Sequence, residues 1–152
     1  MIAAYLENSP LAGAIRDSTW AYPILEIIHI TGIVMLAGAA FMFDLRLLGF
    51  SKELPVAGLA RHLLPWSKRG LLLIVPSGLL LFITNAITLT SNPVFWLKML
   101  LLVTAGLNAL LFHRLIDRIP EKQRTPTRAK LMALLSIVLW IAVITCGRLL
   151  AY

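Results

Sequence analysis

Four apolar runs, each close to the length that crosses a bilayer, alternate along this chain with short polar stretches. Residues about 20–48, 70–90, 93–112 and 130–150 are built mainly from Leu, Ile, Val, Ala and Phe and hold few charges. A membrane-spanning helix needs roughly 20 such residues. In lipid the backbone must satisfy its own hydrogen bonds, so runs of this kind predict helices rather than open strands. The expected fold is therefore all-α, an integral membrane four-helix bundle over residues 20–152.

The punctuation between the runs sets their limits. Residues 1–19 are mixed in character, and Ser9 followed by Pro10 reads as an N-cap with proline at the first helical position. A short amphipathic interfacial helix over Pro10 to Ser18, with Leu11, Ala14 and Ile15 toward lipid, is expected there. Trp20 and Tyr22 sit where interfacial aromatics anchor a span. Val56 to Leu64 reads as a second short interfacial helix, broken before Pro65, ahead of a span that starts near Gly70. Ser91, Asn92 and Pro93 form an uncharged turn, because proline opens a helix more readily than it continues one. Small residues should line the contacts between spans: Gly32 and Ala39, Ser77 and Gly78, Ala105 and Ala109, Ala133 and Ser136.

Charge adds a direction. Of the 14 Lys and Arg residues, eleven lie between Arg46 and Arg69 or between Arg114 and Lys130. Loops rich in Lys and Arg stay cytoplasmic, which predicts two inner loops and both termini outside. The net charge of +7 is thereby accounted for by topology and anionic headgroups, with no nucleic acid as partner. With 59% apolar residues, 14% charged residues and a mean hydropathy of +0.86, the expected surroundings are the lipid bilayer, with a membrane protein partner or a second copy of the chain. Cys146 is the only cysteine, so no CxxC or CxxCH motif exists. The first nineteen residues lack a basic segment followed by an apolar core, and a cleavable signal peptide is not expected.

Candidate chemistry follows from depth, counted along each helix at about 1.5 Å per residue. Glu26 stands about 27 Å above Asp44 on one side of the first span, and His29 shares its face. Lys98 stands about 24 Å above Arg114. Arg148 reaches a similar height above Lys130, and Asn85 ends the second span there. Glu26, His29, Asn85, Lys98 and Arg148 are thus candidates for one outer polar pocket. Ionisable residues within a bilayer are costly and usually pair or line a cavity. A second, inner polar cluster would comprise Asp44, Arg46, Arg69, His113, Arg114 and Asp117, with His62 nearby. Asn108 lies deep in the third span, where its amide needs a partner on another helix.

Haem b would need two ligands at one depth. His29 and His113 differ by about 21 Å and fail this condition. His62 with His113, or His29 with Met99, satisfy it, so these four are the candidate cofactor ligands; no metal is specified. Nothing in the chain resembles a nucleophile with its base, a phosphate loop or a metal-ligand set. The leading expectation is a small non-catalytic membrane module, an anchor or accessory subunit of a membrane complex. A haem- or copper-binding electron-transfer subunit, and a small transporter or proton-coupled permease component, are the alternatives.

The run WAYPILEIIHITGIVMLAGAAFMFDLRLLGF, then LPWSKRG and NPVFWLKMLLLVTAGLNALLFHR, resembles a family of small bacterial inner-membrane proteins of unknown function. The resemblance rests on His29, the Asp44-Leu45-Arg46 triplet, the Asn92-Pro93 turn, Lys98, Asn108 and His113. It implies a four-helix protein of the bacterial cytoplasmic membrane, distantly similar to membrane proteins of the copper-resistance D type and the cytochrome b561 type. Those larger proteins would imply copper or haem.

Overall fold

A computed structural model describes residues 2–51, 53–116 and 126–151, with the side chains of His113, Leu115 and Ile116 outside that description. The described residues form seven helices and no strand: α1 (Ile2–Glu7), α2 (Pro10–Asp17), α3 (Ala21–Leu48), α4 (Val56–Thr84), α5 (Ala86–Ser91), α6 (Pro93–Ile116) and α7 (Thr127–Leu149). Of these, α3, α4, α6 and α7 are long and apolar enough to cross a membrane. The protein is an all-α, four-helix, multi-pass membrane protein.

Local sequence explains most helix limits. Ser9 accepts a hydrogen bond from the Ala12 N–H at 3.3 Å and Pro10 opens α2, as the Ser-Pro pair predicts. Inside α2, Ala12 and Ile15 are buried while Leu11 and Ala14 are exposed. Ile15 therefore packs on the protein instead of facing lipid, because α2 lies against α3 and α4. Gly49 ends α3 in the left-handed region at φ 113°, and Phe50 N–H bonds back to the Leu45 carbonyl at 3.0 Å, the glycine-capped stop expected of a Leu-Leu-Gly sequence. The Asn92 side chain accepts from the Val94 N–H at 2.9 Å and Pro93 starts α6.

The expected break before Pro65 does not occur. One 29-residue helix runs from Val56 to Thr84 with Pro65 and Pro76 inside it. Proline is tolerated in membrane helices when side chains take up the carbonyls it disturbs. Beside Pro76, the Ser77 hydroxyl adds a bond in the interrupted turn, donating to the Leu73 carbonyl at 2.5 Å. The helix ends instead at Asn85, whose φ of −141° and ψ of 35° separate α4 from α5.

That break is closed by the N-terminal helices. The Glu7 carboxylate accepts from the Ile87 N–H at 2.7 Å, and Arg16 donates to the Thr84 carbonyl at 3.2 Å. An acid thus meets the open N–H end of α5 and a base the open carbonyl end of α4, as the helix dipole favours.

The backbones approach one another in the order α4, α3, α7, α6. At the first contact Gly32 faces Gly70: a Cβ on Gly70 would stand 2.7 Å from the Gly32 carbonyl oxygen and 2.8 Å from the Leu36 nitrogen. Without a hydrophobic drive in lipid, such backbone proximity is what holds two spans together. Phe43 of α3 meets Phe112 of α6 edge-on at 5.6 Å, within a core formed by Leu47, Phe112, Ala129 and Ala133. At the other end Phe82 of α4 stacks on Phe95 of α6 at 5.5 Å. Of the small residues expected at contacts, Gly32, Ala39, Ser77, Ala105 and Ala133 are buried, whereas Ala109 is exposed.

Candidate functional site

Two groups of polar side chains lie inside the bundle, one toward the end capped by α1, α2 and α5, the other toward the opposite, basic end. At the capped end His29 projects from α3 onto α4. Its Nδ1 lies 3.0 Å from Ser77 Oγ, and its ring fills the space beside Gly78, where a Cβ would stand 3.0 Å from Cε1. Ser77 has one hydroxyl hydrogen and gives it to the Leu73 carbonyl, so Nδ1–H is the donor and Oγ the acceptor. Lys98 enters from α6. Its ammonium lies 3.7 Å from where a Cβ on Gly147 of α7 would be, and is close enough for its charge to act on the His29 ring. The side chain is half-buried and, among the described residues, makes no hydrogen bond or ion pair.

His29 is thus fixed on Ser77 in the space beside Gly78, and Lys98 lies over Gly147 within electrostatic range of that ring. The other residues of the expected outer pocket do not join them. Glu26 is exposed beside Tyr22, with no hydrogen bond to His29 or Lys98 among the described residues. Asn85 is exposed at the helix break and donates to Thr84 Oγ1 at 3.3 Å. Arg148 is exposed in the last turn of α7. Equal depth puts five residues at one level; which way each helix turns its face decides who meets whom. Gly147 was not among the sequence candidates. Its signal is a glycine in a bulky apolar helix, level with a cation on the facing one.

The inner cluster disperses. Asp44 is 5% exposed and packed toward α7, with Ser136 of that helix beside it. Its Oδ2 is buried without a hydrogen-bond partner. Arg46 turns out to the loop and donates to the Leu54 carbonyl at 2.6 Å. The Arg69 guanidinium lies over the Trp66 ring at 5.1 Å from its centre, a cation–π contact on the surface of α4. His62 and Arg114 are exposed. The His113 side chain and Asp117 lie outside the described residues. Asp44 separates from these cations because α3 continues past it to Leu48, so it sits inside the bundle rather than at its rim. The buried amide of Asn108 donates to the Met132 carbonyl of α7 at 3.2 Å, one turn from Ser136.

Nothing among the described residues supports a haem or copper site, and the pair of His62 with His113 lies outside them because the His113 side chain does. His62 stands fifteen residues along α4 from Ser77, the partner of His29, about 22 Å of helix. Met99 is half-buried on α6 next to Lys98, and no group of three His, Cys, Asp or Glu gathers among the described residues. Neither the curated proteins nor the solved structures compared with the chain give a match. A family model does match, over residues 17–152, and with that coverage the chain belongs to a family of unknown function, DUF6644.

Proposed function

We propose that this protein is a small component of a transport or permease system in the bacterial cytoplasmic membrane, binding a small anionic solute at Lys98 and His29 within the half of the bundle that faces outside. The observation that carries this reading is the direction of Lys98. A lysine this near its helix end can snorkel to the headgroups, and a purely anchoring span would leave it there. Instead its ammonium lies over Gly147 of α7, within electrostatic range of His29 and with no counter-ion among the described residues. An unpaired cation inside a membrane bundle is costly, and such residues mark solute or ion pathways. A carboxylate, phosphate or halide entering from the capped end would offset that cost. His29, fixed by Ser77, would provide the second polar contact.

The test is thermal unfolding of the detergent-purified protein in acetate, inorganic phosphate and chloride, at matched ionic strength. A bound anion stabilises the folded form by about 2.7 kcal/mol at a hundredfold excess over its Kd. Wild type should gain stability in at least one of the three, and Lys98→Gln should not. If the two proteins respond identically to all three, the accessory-subunit reading takes precedence. It draws on the apolar groove along α3 and α4, lined by Gly38, Met42, Leu63 and Trp66, which a partner helix or a lipid chain would fill.

A further inference from the structure

Asp44 is a carboxylate whose position the packing of the bundle alone does not explain. It lies on α3 one turn before the end of the helix, 5% exposed, against α7. Oδ2 is buried without a hydrogen-bond partner, and Ser136 of α7 stands beside the carboxyl. Ser136 is nine residues into α7, about 13 Å of helix from Thr127. Between that level and the basic end stand Leu47, Phe112, Ala129 and Ala133, with Phe43 packed on them.

The charged groups of the surrounding helices leave it unpaired. Arg128 and Lys130 of α7, Arg114 of α6, and His62, Lys68 and Arg69 of α4 are exposed. Arg46, on the same helix, is directed to the Leu54 carbonyl. The His113 side chain is outside the described residues. Asn108 of α6, which reaches α7 one turn from Ser136, is a neutral amide already donating to the Met132 carbonyl. A monovalent metal ion would want several oxygens around it, and this corner offers mainly aromatic and aliphatic side chains. A proton needs one lone pair, and Oδ2 supplies it.

We propose that Asp44 is a reversible proton-binding site within the membrane. Oδ2 takes a proton from water and returns it to water. No other bond is made or broken. In the protonated form the carboxyl is neutral and compatible with the apolar packing. In the ionised form it is an uncompensated charge between two helices, which loosens α3 against α7. The site does not depend on the anion reading of Lys98 and His29, and the two fail separately.

Infrared difference spectroscopy of the protein in lipid vesicles, titrated from neutral to alkaline buffer, tests this directly. Wild type should show at neutral pH the carbonyl stretch of a protonated carboxyl in apolar surroundings. The band should disappear on alkalinisation and return on back-titration. Asp44→Asn, whose amide matches the shape of the protonated acid, should lack the band while keeping the helix content of wild type. Ser136→Ala should keep the band at a displaced frequency, because the carboxyl has lost its polar neighbour on α7. That displacement, read with isotope-labelled aspartate, assigns the band even if Asp44→Asn fails to fold. A spectrum holding only carboxylate bands at neutral pH, or a protonated band that persists unchanged in alkali, overturns the proposal.

Discussion

At the scale of single residues, the glycines show where side-chain volume is forbidden and where it is merely missing. Gly70 meets the backbone of α3 so closely that a methyl group would lie under 3 Å from two backbone atoms, neither of which can move as a side-chain tip can. Gly70→Ala should therefore force α3 and α4 apart and cost about 1–3 kcal/mol, as overpacking of a tight contact does. Gly106 on α6 has open space around it, so Gly106→Ala should leave stability unchanged or raise it by up to about 1 kcal/mol through helix propensity. Denaturation of the two variants in the same detergent checks both. Equal effects would show that the Gly32–Gly70 contact does not hold the spans together. Gly32 is legible in the sequence as a small residue in mid-span. Gly70 is not, because the sequence places it at the start of a helix that in fact begins fourteen residues earlier.

At the scale of elements, the short helices depend on partners distant in sequence. Six residues of α5 cannot nucleate a stable helix alone. Its first turn is fixed by Glu7, eighty residues earlier in the chain. Glu7→Ala removes a charge-assisted cap, and a loss of about 1 kcal/mol is expected, as for other N-cap deletions. Proteolysis or hydrogen exchange at Ile87 to Leu89 should report the loosening, while the middle of α4 stays protected. If exchange at α5 is unaffected, the N-terminal helices are not what closes the break. In the sequence Glu7 and Arg16 are two separate charges of the N-terminal segment; their roles exist once Asn85 has interrupted the helix and exposed the groups they satisfy.

At the scale of the whole molecule, charge and packing set different things. The two basic windows predict an orientation, and fusion reporters test it: one after Tyr152 should report the outside and one between Glu121 and Thr127 the inside. The reverse would turn the Lys98 end of the bundle toward the cytoplasm. The number of spans and the Ser-Pro and Asn-Pro helix starts are determined by sequence, because each follows from the run length lipid requires or from the backbone of one residue. Neighbour choice is not. A span's depth can be counted along the chain, but the direction of each face depends on which helices approach, here α3 between α4 and α7. That arrangement turns Lys98 and His29 inward, leaves Glu26 exposed, and buries Asp44 against Ser136 away from the cations that flank it in sequence. The sequence determined the depth of each polar residue, since rise along a helix is fixed; the tertiary structure alone decided which of them meet, since rotation about the helix axis is set by the neighbours.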